Sequence, residues 1–510
     1  MTGQHSKYPY FQSLSLAAGI RAAMFRNPTK IALRHGNTKR SYRGLVDRFD
    51  RVTAAIIGDL GLVPGDHGAI VAKNSIAYVE IVVGASQAGV ALATINPRLA
   101  PLEIATICDD AGARVLFVDS ESAATLRELP LASVERVIVI NNEFEDWLAQ
   151  AHPPAELPAV DELDTFTIPY TSGTTGQPKG VLVPHRSRLL TLFAMAMEYG
   201  CYTPDDRFLA IAPLCHGAGM VFALAPVFFG GYAELMDQFD PGEVMKCLAT
   251  EHITGFFGVP THFHGMLSLE QSYLDHHQCP QLTTIISNAA PLPQALKERI
   301  IDHFGEGLLH ETYGSTEAGI VTNLRPNDQL RKQQCVGQPF PCTLVKIIDD
   351  DGDECPVDQV GELFSVSPYL FNGYWDRPKE TREAFHDGWV TVGDMARRDE
   401  DGYLYIVDRK KDMVISGGFN IYPRETEEIL VQHVSIAEAA VVGVPDEKWG
   451  EHLKAFVVVR PGAALDVQEV LDFCDGRIAR IKTPQEVAFI DALPRNAGGK
   501  VLKTELRKLR

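Results

Sequence analysis

The sequence predicts an α/β protein with a large N-terminal domain of stacked α/β layers, a small β-barrel-like unit and a small α+β C-terminal domain. Three observations carry this. At 510 residues the chain exceeds what one hydrophobic core organises. From Ser41 to about Val118, helical patterns such as Tyr42 to Leu60 alternate with short apolar runs such as Gly68 to Ala72 and Arg114 to Val118, as stacked α/β layers require. Between about residues 336 and 405 the texture changes to short strands with Gly and Asp turns (IIDDDGDE, GELFSV, DGWVTVGD, DGYLYIV), the mark of a small antiparallel β unit.

The remaining elements follow in order. A Pro-rich acidic stretch, His152 to Leu163, reads as a surface connection before the strand-like Thr165 to Tyr170. A second α/β run extends from His185 to about Leu309. The charged segment Asp408 to Asp412 closes the β unit. Beyond it Pro423 to Val431 and Val467 to Ile478 read as helices, and Ala439 to Val444 and Ala455 to Val459 as strands. The expected domains are therefore residues 1–408 and 409–510.

Composition excludes several classes. Lys plus Arg number 47 against 66 Asp plus Glu, a net charge of −19 that repels nucleic acid and anionic lipid. Nine scattered cysteines without a CxxC pair predict reduced thiols and neither disulfides nor a structural metal. The start, MTGQHSKYPYFQ, lacks the basic and apolar regions of a secretory signal, and the final RKLR is neither a peroxisomal nor a lipidation signal. The most apolar stretch, Gly219 to Tyr232, contains Pro226, Gly230 and Gly231 and is too short to span a bilayer, so it is expected as buried core. The expectation is a cytoplasmic enzyme.

The clearest chemical signal is YTSGTTGQPKG, Tyr170 to Gly180. Thr171, Ser172, Thr174 and Thr175 supply hydroxyls, Gly173 and Gly176 permit close backbone approach, and Lys179 adds charge, a combination suited to polyphosphate. It is not a Walker loop, because Pro178 stands where a glycine is required and Gly180 follows the lysine. Val181 to Val183 is strand-like, so a strand, loop, strand arrangement is expected. Alone, such a string also reads as a Ser/Thr/Gly linker.

The string resembles the phosphate loop of the adenylate-forming superfamily: acyl-CoA and aryl-CoA synthetases, peptide-synthetase adenylation domains and luciferases. Four further strings match in order: Tyr313-Gly-Ser-Thr-Glu317, Thr391-Val-Gly-Asp394, Asp408-Arg-Lys-Lys-Asp412 running into Ser416-Gly-Gly-Phe-Asn-Ile-Tyr-Pro423, and Pro494-Arg-Asn-Ala-Gly-Gly-Lys500. The resemblance covers nearly the whole chain and is nearest to fatty-acyl and aryl-CoA ligases. It implies Glu317 as the Mg²⁺ ligand, with Thr316 on phosphate. Tyr313 is implied on adenine opposite Asn288, Ala289 and Ala290, Asp394 on the ribose with Arg409 beside it, and Lys500 on the carboxylate and α-phosphate. It also implies a mobile C-terminal domain that turns about Asp408 to Asp412, with Lys411 at the hinge, and presents Gly417, Gly418 and Phe419 to a thiol. Arg98 and Trp449 match positions that contact coenzyme A in some relatives.

Two further features concern the acid. Amino-acid enzymes carry an acidic residue near the start of the pocket helix, whereas this chain reads Pro213-Leu-Cys-His216-Gly-Ala-Gly-Met220, and His216 resembles the gate histidine of acyl and aryl-CoA ligases. The expected acyl pocket comprises His216, Gly217, Ala218, Gly219, Phe256, Gly258, Val259, Thr261 and Ala289. No arginine occurs in these segments to pair a second carboxylate. The expected function is joining a hydrophobic monocarboxylate (fatty, aromatic or alicyclic) to coenzyme A through an acyl-AMP, with ATP, Mg²⁺ and CoA as the small-molecule partners. The alternative is a ligase that loads a carrier protein. A homodimer is left open.

Overall fold

Strands buried on both faces organise the N-terminal half. The pentapeptides HGAIV (β1, His67–Val71) and ALATI (β2, Ala91–Ile95) are enclosed at every position, which is why they read as near-continuous apolar runs rather than alternating ones. With β3 (Ala113–Val118), β4 (Arg136–Val139), β5 (Thr165–Ser172) and β6 (Pro178–Gly180) they form a sheet in the order β4-β3-β1-β2-β5-β6. Its contacts are parallel except for the β5–β6 hairpin and the short strand Val183–Pro184, which also pairs antiparallel with β5. In this computed structural model the described residues are 13–126, 128–152, 156–172, 178–496 and 499–509.

The second α/β run builds another sheet. Its strands β7 (Arg207–Ala210), β8 (Tyr232–Leu235), β9 (Gly255–Gly258), β10 (Thr284–Ser287) and β11 (Leu309–Ser315) are parallel, and β12 (Gly319–Leu324) closes antiparallel on β11. Two of its helices end on glycine. Helix α1 (His185–Tyr199) stops at Gly200 with φ +65°, and α2 (Gly217–Phe229) stops at Gly230 with φ +100°, both left-handed caps that glycine adopts without strain. The apolar stretch from Gly219 is thus a core helix followed by the buried β8. Among the described residues no helix is long and apolar enough to cross a membrane.

The two sheets meet where β1 and β2 run into the segment before α2. Asn74, just past β1, donates from Nδ2 to the carbonyls of Ala212 and Met236 at 3.0 and 2.9 Å and accepts from Leu214 N at 2.7 Å. Thr94 of β2 donates to Cys215 O at 2.9 Å. These buried polar side chains satisfy loop backbone that carries no ladder of its own.

The chain packs as two compact units. One contains the chain to Gln333 with Pro339–Leu344 and Val366–Val390; the other contains Gln334–Gln338, Val345–Ser365 and the chain from Thr391. Most of the strand-rich segment expected at 336–405 therefore packs with the C-terminal residues. In that second unit Asp394–Arg398 pairs antiparallel with Gly361–Val366 and Leu404–Arg409. A separate sheet of Val414–Ser416, Phe419–Ile421, Ile436–Asp446, Gly450–Val459 and Glu486–Phe489 encloses Val414, Leu430, Val441 and Val457.

Replacing Asn74 by Ala leaves three buried backbone groups unpaired. The variant is expected to lose about 2–4 kcal/mol of stability, and Thr94→Val about 1 kcal/mol, read as lowered thermal midpoints.

Candidate active site

Strands flank the phosphate string, the second starting earlier than expected, at Pro178: Tyr170 pairs with Gly180, Thr171 with Lys179, and Ser172 with Pro178. Gly173, Thr174, Thr175 and Gly176 lie outside the described residues. The hairpin is anchored on both sides. Tyr170 Oη donates to Asp110 Oδ2 at 2.7 Å, and the other oxygen of Asp110 receives Arg377 at 2.6 Å. After β6 the chain pairs with a distant segment, Asn372 to Trp375, through Leu182 N to Gly373 O (2.9 Å) and Trp375 N to Gly180 O (2.8 Å).

That pairing places Tyr374 beside the loop. Lys179 Nζ stands 5.2 Å from its ring centroid, and its hydroxyl donates to Glu317 Oε1 at 2.9 Å. Burial, reinforced by the adjacent carboxylate, pushes the Tyr374 hydroxyl far up, so it remains a donor. Thr316, Glu317 and Ala318 form the turn between β11 and β12, and Gly319 closes it with φ +71°. A register shift at Tyr313/Gly314 bends the strand just before this turn. Glu317 is 8% exposed and its second carboxylate oxygen has no partner among the described residues. One held and one available oxygen suit a Mg²⁺ that takes its other ligands from phosphate and water. Among the described residues no cluster of three His, Cys, Asp or Glu could hold a metal alone.

Asn288, Ala289 and Ala290 follow the carboxyl end of β10. Ala289 has φ +74°, a conformation that costs a residue with a Cβ on the order of 1 kcal/mol. At the carboxyl end of β7, His216 is exposed and forms the N-cap of α2 without capping it by its side chain; Nε2 lies 3.2 Å from Asn96 Nδ2. Asn96 also accepts from Arg98 N at 2.9 Å. Arg98, expected on coenzyme A, is exposed, and its charge assists burial in pulling His262 down to about 4.

The residues expected to line the acyl pocket differ in their surroundings. Phe256 is wholly enclosed against Phe263 and Phe304, at 5.7 and 6.1 Å between ring centroids. Strand alternation turns its neighbour Phe257 toward α2 instead, where it stacks on Phe222 at 4.3 Å. Gly219 is required by close packing, since a Cβ there would lie 2.1 Å from Pro213 O, and a Cβ at Gly258 would lie 2.9 Å from the Phe263 ring. Gly217 has room: its nearest neighbours would be the terminal nitrogens of Arg188, at 3.7 and 3.9 Å. This arginine lies outside the expected pocket segments and reaches the pocket helix from α1.

In the second unit Asp394, 5% exposed, pairs in register with Arg409, whose Nε lies 3.2 Å from Oδ1. Lys411 is exposed, and partial desolvation followed by the Arg409 charge draws its ammonium down. Asp408 accepts from Arg424 N at 2.9 Å, tying this segment to the Pro423–Leu430 helix. Gly417 donates its N–H to Trp449 O at 2.8 Å, with φ +58°, and a Cβ on it would strike the Trp449 ring at 2.8 Å. Gly418 follows with φ +85° and open space around it. Lys500 lies in a tight return in which its N–H donates to Asn496 Oδ1 and its carbonyl accepts from Asn496 N, both at 2.9 Å.

A model of the AMP-binding enzyme family matches residues 20–375, and one of the AMP-binding enzyme C-terminal domain matches residues 425–500. A feruloyl-CoA synthase from an Amycolatopsis species is 35% identical, covering 94% of this chain and 96% of its own. A 2-succinylbenzoate–CoA ligase from Geobacillus kaustophilus (strain HTA426) is 33% identical over 96% and 97%. The crystal structure of ATP-bound MatB from Rhodopseudomonas palustris superposes with a TM-score of 0.88 at 30% identity, covering 98% of this chain and 99% of that one.

Tyr374→Phe deletes one hydrogen bond to a carboxylate and keeps the ring. The variant is expected to need about tenfold more Mg²⁺ for half-maximal nucleotide binding by titration calorimetry, with its thermal midpoint little changed.

Proposed function

The chain belongs to the AMP-binding enzyme family, and from that premise we propose that it is an acyl-CoA synthetase, converting a hydrophobic monocarboxylate to its acyl-CoA through an acyl-adenylate. The observation that supports it best is the buried Glu317 carboxylate, fixed by Tyr374 with Lys179 on the same ring, at the exit of a phosphate-type loop.

A carboxylate is a poor acylating agent because oxide leaves badly, so the acid is first made a mixed anhydride. The carboxylate oxygen attacks the α-phosphorus of ATP and pyrophosphate departs; the protein positions the reactants and neutralises the spreading charge. In this reading Ser172, Thr174, Thr175 and Lys179 hold the phosphates, and Glu317 would hold Mg²⁺, which supplies further positive charge to them. Tyr313 and the Asn288–Ala290 backbone flank the adenine. Asp394 takes the ribose hydroxyls, with Arg409 beside it, and Lys500 bridges carboxylate and α-phosphate. In the second step the thiol of CoA attacks the acyl carbonyl and AMP leaves. Residues 409–510 turn about Lys411 between the steps, withdrawing Lys500 and presenting Gly417 and Gly418, whose backbone admits a pantetheine chain. Nine free thiols accord with a cytoplasmic setting.

Purified enzyme is expected to release pyrophosphate with acid and ATP, to give hydroxamate with hydroxylamine, and to form AMP and thioester only with CoA. Thioester formation on a carrier protein but not on CoA would replace this reading by the other acceptor. Lys500→Ala should lower adenylation by about 10²–10³ while sparing thioester formation from supplied acyl-adenylate, and Gly418→Leu the reverse.

A further inference from the structure

Arg188 is a charge without a counter-ion. It sits on α1, half-buried, with Nε enclosed and without a hydrogen-bond partner. Burial alone acts on it, drawing the guanidinium down to about 10; no neighbouring charge contributes. The rest of the chain, beyond the described residues, includes no Asp or Glu, so it holds no side-chain carboxylate to pair it either. An uncompensated interior cation is costly, and an apolar side chain of similar length would fill the space more cheaply.

Its terminal nitrogens lie over Gly217, the first residue of α2. That helix spans thirteen residues and has neither a side-chain cap nor an acidic residue in its first turn. The N–H groups of Gly217, Ala218 and Gly219 have no intrahelical acceptor, and the helix end carries partial positive charge. A guanidinium and an uncapped helix start, both seeking an acceptor, therefore converge at a glycine that leaves the space between them open.

We propose that Arg188 and the first turn of α2 form a subsite for an oxygen acceptor that the acid substrate carries in addition to its reacting carboxylate. The preferred substrates are then acids bearing a further keto or carboxylate oxygen rather than plain alkyl chains, which amends the purely hydrophobic monocarboxylate of the proposed reaction. This rests on the reading of the α2 start as a wall of the acyl pocket. A guanidinium donates to either oxygen type, and a site built to meet one leaves its donors unpaired with an apolar acid.

The test compares pairs that differ only in an added oxygen group, cyclohexanepropanoate with its 4-oxo derivative and cinnamate with 4-carboxycinnamate, in the wild type, Arg188→Met and Gly217→Ala. In the wild type kcat/KM should favour the oxygen-bearing member by tenfold or more, the two pairs separating keto from carboxylate recognition. In Arg188→Met the ratio should fall to about one, through KM for the acid. Gly217→Ala, whose methyl would meet the guanidinium at ordinary contact distance, should lower the same ratio with the charge in place. A ratio near one in the wild type, an unchanged ratio in both variants, or a KM for ATP that rises as much as that for the acid overturns the subsite. Calorimetric binding of the same acids without ATP reads the preference even if no acid is adenylated, an outcome that would overturn the proposed reaction instead.

Discussion

The candidate site depends on one constraint: the carboxyl ends of two parallel sheets must be held against each other by groups that are not themselves part of either ladder. Asn74, Thr94 and Asn96 do this, each at or just beyond the end of β1 or β2, each bonded to the segment Ala212–His216 that leads out of β7. Parallel strands direct their loops to one edge, so the phosphate hairpin after β5, the strained Ala289 after β10, Val259 after β9 and His216 after β7 all arise at strand ends of the same polarity. The arrangement is a consequence of topology, and the buried asparagine makes it rigid.

On that platform the chemistry is assembled from segments far apart in sequence. Lys179 lies in the second strand of the phosphate hairpin, Glu317 lies in a turn, and Tyr374 arrives on a single bridge to Val181 next to the Trp375–Gly180 bond. A flexible ammonium and a carboxylate placed independently would each lose orientation on binding a polyphosphate. Tyr374 reduces that loss by fixing the carboxylate through its hydroxyl while its ring face meets the ammonium.

Much of this is legible in the residues. The alternation of helix and apolar strand encodes the layers, and the hydroxyl- and glycine-rich string encodes a hairpin rather than a helix-opening loop. The domain division is less legible, because the strand-rich segment is shared between two units according to packing, which no local pattern encodes. Which of the two phenylalanines of β9 points at α2 is not legible either: both are apolar, and only the sheet turns Phe257 to α2 and Phe256 away. Gly219 and Gly258 suggest space for a ligand, but that space is already taken by Pro213 O and Phe263. Tyr374, Asp110, Asn74 and Arg188 carry no motif signal at all, since their roles exist only through long-range contacts.

Arg188 also illustrates why an unpaired charge is more informative than a paired one. Glu80 is more enclosed still, yet Arg40 and Arg48 reach it at 2.9 and 2.8 Å, and that account is complete within the protein. Lys297 is enclosed as well and has Glu311 at 2.7 Å. All three charges lose hydration on folding, and for two of them the fold supplies the offset. For the third, the terminal nitrogens lie over a glycine at a bare helix end, which adds donors rather than acceptors. In the proposed subsite the missing half of that interaction comes from the acid the enzyme binds.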